Sequence, residues 1–209
     1  MRESLLRPLN AKSIFGLLIL AFLFLFSLTY VVDDFKFYTL EESILGRLFV
    51  IKWWLIGHLS GGILALLIGP FQFWKNFRNK YIKLHRTLGK VYLIAILISS
   101  ICSTVMAWTL AIQLNFAWAF SLQMLGVVWV TTAFMAYYTI RKKQIESHRQ
   151  WMVRSYIVTF GFISFRWIMD LPLIQELGSF PEIAPTVIWS TWAIPLLIAQ
   201  VVFQLNKKR

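Results

Sequence analysis

Six long apolar stretches are the feature that most constrains the fold of this 209-residue chain. Each is about 20 residues long, which is the length that an α-helix needs to cross the roughly 30 Å hydrocarbon core of a bilayer. The sequence therefore predicts an all-α membrane protein, a bundle of six transmembrane helices. The predicted spans are residues 13–32, 49–73, 88–112, 117–140, 152–171 and 183–205.

Composition agrees with this interpretation. Hydrophobic residues make up 58% of the chain and charged residues 14%, against about 45–50% and about 25% in globular proteins. Lipid accepts that much apolar surface, whereas a water-soluble fold could not bury it. The connections between the spans are too short for a separate soluble domain. We therefore expect a single transmembrane domain over residues 1–209, whose main partner is the lipid bilayer.

The positions of Lys and Arg predict the orientation. All but four of the 21 lie at the two termini or in the second-to-third and fourth-to-fifth connections, which six spans place on one side. Short basic segments stay in the cytoplasm, so both termini are expected inside. The expected location is the bacterial inner (plasma) membrane, as a multi-pass protein. Because the basic residues alternate with apolar runs, the net charge of +12 indicates topology rather than a nucleic-acid partner.

A stripe of small residues runs along the second predicted span. Its members recur every fourth residue and so share one helix face; they are Gly57, Gly61, Ala65 and Gly69. Small residues let a second helix approach closely in a membrane, so we interpret this face as a helix-packing surface. Gly62, four residues after His58, would also clear space beside that histidine.

Three ionisable residues fall in the outer half of the membrane: His58, Arg166 and Asp170. Charged groups inside a bilayer are costly and usually functional. Arg166 and Asp170 are four residues apart and could neutralise each other, so one interpretation is a structural ion pair. A second is a site that binds an anionic or quinone-like group or relays protons. A third is that these side chains extend to the surrounding water.

Two further histidines, His85 and His148, each precede an inside-to-outside span by a few residues. Both are therefore expected at the same depth, at the cytoplasmic edge. Haem b ligation by two histidines needs two imidazoles that face each other at one level, so the two residues are candidate ligands of haem or of a metal ion. The alternative is a basic belt in contact with anionic lipid head groups. The residues that would make those contacts are Lys83, Arg86, Arg149 and Arg154.

Several of these motifs together resemble an uncharacterised bacterial family of predicted membrane proteins, domain of unknown function 2306. They are Gly57-His58 through Gly61-Gly62, Gly69-Pro70-Phe71-Gln72-Phe73, His85-Arg86-x-x-Gly89-x-x-Tyr92, His148-Arg149-x-Trp151-Met152-x-Arg154 and Arg166. The resemblance covers roughly residues 49–170. It implies a multi-helix membrane fold and no established activity.

The segment His85-Arg86-Thr87-Leu88-Gly89 is also similar to the helix start around a haem ligand in ascorbate-dependent di-haem cytochromes b. Six-helix ferric-reductase-like proteins are a related comparison. This similarity implies haem b at His85, although those families use four ligand histidines and this chain has three.

The sequence is compatible with three functions, and it identifies no catalytic residue. The first is a membrane component that binds lipid or a protein partner. The second is a haem b redox protein that uses His85 and His148. The third is a proton or small-molecule transport element that uses His58, Arg166 and Asp170.

Overall fold

The computed structural model describes residues 11–206, with only the backbone for residues 11–13, and all regular secondary structure in this range is helical. The helices are α1 (Ala11–Asp34), α2 (Glu42–Leu45), α3 (Lys52–Phe73), α4 (Lys75–Lys80), α5 (Ile82–Met106), α6 (Ile112–Leu114), α7 (Phe116–Arg141), α8 (Ile145–Met169), α9 (Pro172–Gln175) and α10 (Phe180–Asn206). Two 3-10 turns, Phe35–Thr39 and Gly46–Ile51, connect α1 to α3 through α2, and a π-helical turn, Ala107–Ala111, follows α5. The terminal basic residues that contributed to the predicted orientation, Arg2, Arg7, Lys207, Lys208 and Arg209, lie outside the described residues.

Among the described residues, five helical segments are long and apolar enough to cross a membrane, judged by length and composition. They are Ile14–Thr39, Glu42–Phe73, Ile82–Leu114, Phe116–Arg141 and Phe180–Asn206. The all-α membrane fold is therefore confirmed. The predicted fifth span corresponds to α8, which at 25 residues is nearly as long as the shortest of these five but more polar. Since α8 contacts α3, α7 and α10, its polar residues have protein neighbours, and a count of six spans stays a prediction.

Four long helices form the centre of the bundle. Helix α5 packs against α3 and α7, and α8 packs against α7 and α3, so the four form a ring in which α5 and α8 lie on a diagonal. Short connections make neighbouring helices antiparallel, and the two diagonal helices therefore run in the same direction. Helix α10 packs against α7 and α8 on one side, and α1 packs against α3. The most deeply buried core side chains are Tyr92, Ile96, Leu125, Trp129, Val158 and Ile188.

Small residues set the spacing between α3 and α5. A Cβ atom added at Gly61 would lie 2.5 Å from the Ala95 carbonyl oxygen, and one at Gly57 would lie 2.6 Å from the Cys102 sulfur. The two backbones thus approach more closely at these positions than any larger residue would allow. Ala65, the next member of the stripe, is fully buried in the core.

Gly69 and Pro70 have a different role near the end of α3. Proline has no N–H, so the Leu66 carbonyl lacks the donor that a helix normally supplies four residues later. The Tyr156 hydroxyl of α8 donates to this oxygen over 3.2 Å. A Cβ atom at Gly69 would overlap the Tyr156 ring. Gly69 therefore leaves room for the ring whose hydroxyl satisfies the carbonyl that Pro70 leaves free.

The two ends of the ring differ in charge. We call the end with α4 and the α7–α8 turn the basic end, because it includes Lys75, Arg78, Lys80 and the run Arg141–Lys143. The other end, which we call the acidic end, includes Asp33, Asp34, Asp170, Glu176 and Glu182. His85 and His148 lie near the basic end, at the starts of α5 and α8, whereas His58 and Arg166 lie nearer the acidic end.

Candidate functional site

His85 on α5 and His148 on α8 lie at one level of the bundle. Further along the same two helices, the Tyr92 and Ser155 hydroxyl oxygens are 2.9 Å apart. His85 precedes Tyr92 by seven residues and His148 precedes Ser155 by seven. Because seven residues make almost two full turns, the histidines lie on the same faces as this contact and about 10 Å from it along the axis.

The hydrogen bonds of these rings leave some ring nitrogens free. His148 Nδ1 donates to the Ala136 carbonyl of α7 over 2.8 Å, which leaves a lone pair on Nε2 of the neutral ring. His85 Nδ1 is buried and has no hydrogen-bond partner within residues 11–206.

Gln72 of α3 lies in the same region. Its Nε2 atom is also buried without a partner in the described structure. Its Oε1 atom would lie 3.4 Å from a Cβ atom added at Gly89, one turn after His85. Buried polar atoms in proteins almost always have a partner, so each exception needs an explanation. Two such atoms in one region indicate a place where a ligand could supply the missing interactions.

The chemistry of the donor set limits what that ligand can be. Among the residues that the structure describes, no group of three or more His, Cys, Asp or Glu side chains could hold a metal ion. Two imidazoles do suffice for haem, because the macrocycle supplies four nitrogen ligands and the protein adds only the axial ones. The charges of Arg78 and Arg86 also act on His85, and such residues pair well with carboxylates. The residues present therefore fit haem better than a bare metal ion.

Three of the four predicted anionic-lipid contacts are exposed, namely Lys83, Arg86 and Arg149. Arg154 instead faces the protein. Its guanidinium lies 4.8 Å from the centre of the Trp151 ring and donates to the Gln200 side chain of α10. Arg154 thus joins α8 to α10, and the other three side chains are accessible to head groups.

Arg166 connects α8 to the end of α1. Its guanidinium donates to the Asp34 carboxylate over 2.7 Å and to the Asp33 carboxylate over 3.2 Å, and it lies 4.9 Å from the centre of the Tyr30 ring. Within the described range its ion-pair partners are these two residues rather than Asp170. The Asp34 side chain is only 10% exposed. The ion pair therefore joins two helices and is not local to one.

Arg166 and Asp170 line an open cavity of about 780 Å³ at the acidic end, together with Tyr30 and Asp33. This volume is typical of small-molecule sites. Because two nitrogens of the Arg166 guanidinium already face carboxylates, the cavity does not present a free cation to an anionic ligand. It suits a neutral or cationic ligand better.

His58 does not line that cavity. Its Nδ1 donates to the Ser99 carbonyl over 3.1 Å, and the Ser99 hydroxyl donates to the His58 carbonyl over 2.8 Å. These reciprocal bonds join α3 to α5. Gly62 lies next to these bonds. A Cβ atom added there would lie 3.8 Å from the Ser99 hydroxyl oxygen, which is an ordinary van der Waals distance. The three residues of the predicted outer site are therefore divided between a cavity and a helix–helix contact.

Sequence reasoning missed a buried hydrogen-bond network between the histidine level and the acidic end. The Thr159 hydroxyl lies 3.0 Å from the Tyr92 hydroxyl and accepts a bond from Trp129 Nε1 over 2.8 Å. The sequence did contain one signal for this network. Tyr92 follows His85 by seven residues and Ser155 follows His148 by seven, and this spacing puts both members of each pair on one helix face.

Comparison with known proteins identifies the family. A profile of the family described as predicted membrane protein (DUF2306) matches residues 55–203. The chain belongs to this family. The resemblance to DUF2306 proteins inferred from the motifs is confirmed, and the match includes all three histidines, Arg166 and most of α10. No curated protein and no solved structure matches this DUF2306 protein, so the similarity to haem b cytochromes gains no support there.

Proposed function

We propose that this DUF2306 protein is a single-domain, six-span protein of the bacterial inner membrane, with both termini inside, that binds haem b between His85 and His148. The haem site is supported by the common level of His85 and His148, each seven residues before the Tyr92–Ser155 contact, and by a buried His85 Nδ1 that has no hydrogen-bond partner among the described residues. The orientation is supported by the separation of charge between the basic and acidic ends, because Lys and Arg are retained on the cytoplasmic side.

Each protein group would have a defined role. The bond from His148 Nδ1 to Ala136 orients the ring and makes Nε2 a better donor to a metal. Arg78 and Arg86 would pair with the two propionates, and the Gln72 amide would donate to the same ligand. Haem in this position supplies one-electron transfer. The function class that follows is a membrane redox protein.

The haem proposal is tested by a reduced-minus-oxidised visible spectrum of the protein purified in mild detergent from haem-replete cells. Soret and α bands are expected, at about one haem per chain as two axial histidines allow. The bands should disappear in His85→Ala and His148→Ala and remain in His58→Ala, which is a matched control because His58 is bonded to Ser99. Size-exclusion profiles establish that each variant is folded. A colourless, monodisperse wild-type protein would overturn the proposal.

The topology is tested by labelling single cysteines in intact cells. Cys102, the one native cysteine, is replaced by Ser, and one new cysteine is introduced at Asn79 in the basic end or at Glu176 in the acidic end, both exposed. A membrane-impermeant maleimide should label Glu176→Cys in intact cells and Asn79→Cys only after lysis. The reverse pattern would contradict the proposed orientation.

A second candidate function, transport of a small cation or proton, is favoured by the acidic cavity. Asp170 is exposed there and forms no ion pair with another described residue. If the cavity binds the transported species, Asp170→Asn should reduce flux into proteoliposomes, whereas Glu176→Gln, outside the cavity lining, should not. Equal flux in all three proteins would contradict transport through this cavity.

A further inference from the structure

An apolar groove of about 570 Å³ opens between α1 on one side and α8 and α10 on the other. Its volume is within the range of small-ligand sites. Helix α1 contributes a wall from Gly16 to Leu23, and α8 contributes a wall from Val153 to Ser164. Trp74, Lys75 and Asn76, where the chain turns from α3 into α4, line the groove at its basic end. The groove is thus apolar except at its basic end, where polar side chains line it.

The dimensions of the groove match one lipid chain. The α8 wall is about 16 Å long at 1.5 Å per residue. That is about half of the 30 Å hydrocarbon core, the thickness of one leaflet. At Gly16 the space is open, because a Cβ atom added there would meet no heavy atom within 4 Å.

We infer that the groove binds one acyl chain of an anionic phospholipid, with the phosphate at Lys75. Lys75 is exposed and has no ion-pair partner in the described part of the chain. Arg78 and Lys80 follow on α4, so the polar end of the groove is positively charged and complements a phosphate. Trp74 lies at the same end of the groove, and indole rings are enriched at the level of the lipid head groups. The groove gives the expected role as a lipid-binding membrane component a specific site, which is independent of the haem proposal.

The test compares retained lipid by native mass spectrometry after equilibration with phosphatidylglycerol or with phosphatidylcholine of the same acyl chains. Wild-type protein should retain one phosphatidylglycerol in preference to phosphatidylcholine. Gly16→Phe fills the groove and should reduce retention about tenfold or more, equivalent to about 1.4 kcal/mol. Leu18→Phe is the matched control, since Leu18 is on the same helix, 61% exposed and outside the groove. Lys75→Gln should remove the preference for the anionic lipid.

If Gly16→Phe does not fold, a second measurement on the wild-type protein tests whether the groove binds the acyl chain. Phosphatidylglycerol with a photoreactive group on its acyl chain should label residues 16–23 and 153–164. Labelling confined to other helices would overturn the inference, as would unchanged retention in a monodisperse Gly16→Phe variant. Crosslinking of a second protein chain through the groove would also overturn it, because the occupant would then be protein.

Discussion

The Tyr156 hydroxyl donates to the Leu66 carbonyl oxygen over 3.2 Å, and the reason that this oxygen is available lies four residues further along α3, at Pro70. A proline inside a membrane helix leaves one carbonyl unsatisfied unless a neighbouring group supplies a donor. In this protein the donor comes from a different helix. The Gly69-Pro70 pair and Tyr156 therefore act as one unit that joins α3 to α8.

Replacing Tyr156 with Phe should destabilise the protein by about 1 kcal/mol, because the Leu66 carbonyl then stays buried without a partner. In a Pro70→Ala background the helix provides its own donor, so the same replacement should cost less. Stability is measured by unfolding in mixed micelles with increasing denaturing detergent. Equal losses in the two backgrounds would show that the hydroxyl has another role.

Replacing Asp34 with Asn should destabilise the contact between α1 and α8 by about 1–2 kcal/mol, since it removes the charge opposite Arg166 at a nearly buried position. Asp33→Asn is the comparison, because Asp33 is 52% exposed and an exposed pair contributes about 0–1 kcal/mol. The same unfolding assay reports both variants. A larger loss for Asp33→Asn would contradict the assignment of Asp34 as the stronger partner.

Replacing Gly61 with Ala should destabilise the α3–α5 contact by about 1–3 kcal/mol, because the new methyl group would press on the Ala95 backbone. Gly62→Ala is the matched control on the neighbouring residue, where an added Cβ atom would lie 3.8 Å from the nearest atom. That variant should be neutral or slightly stabilising, since Ala favours helix more than Gly does. Thermal unfolding in detergent distinguishes the two. Similar melting temperatures for both variants would be inconsistent with the close approach at Gly61.

Replacing Arg86 with Gln should lower the midpoint potential of bound haem. A nearby positive charge stabilises the reduced haem relative to the oxidised haem, so removal of that charge makes reduction less favourable. Lys52→Gln, at the acidic end, removes the same charge far from His85 and should leave the potential unchanged. Spectroelectrochemical titration measures both. A potential that stays the same or rises in Arg86→Gln would place the haem away from this arginine.

The apolar middles of the helices could be predicted from sequence, but the starts of α5 and α8 could not. The fourth and sixth predicted spans lie within one to three residues of the bounds of α7 and α10. Helices α5 and α8 begin six and seven residues earlier than predicted, at Ile82 and Ile145. Their first turns are basic and polar, so hydropathy does not detect them, but backbone hydrogen bonding continues through them. Helix α8 is also polar in its middle, where Ser155 and Thr159 form hydrogen bonds to another helix of the bundle.

The partners of the intramembrane groups depend on tertiary register and were not accessible to sequence reasoning. The Arg166–Asp34 bond joins residues 132 positions apart, whereas local spacing suggested Asp170. His58 likewise finds its partner on α5, at Ser99. The common level of His85 and His148 was predictable, because the two residues precede their apolar spans by similar distances, three and four residues.

The seven-residue step from His148 to Ser155 makes the histidine pair sensitive to angular phase. One residue inserted between them would rotate His148 by about 100° around α8, away from His85, while the Tyr92–Ser155 contact stayed in place. The hydropathy of the helix would hardly change. Two chains with the same number of spans and the same three histidines could thus differ in whether the imidazoles of His85 and His148 face each other.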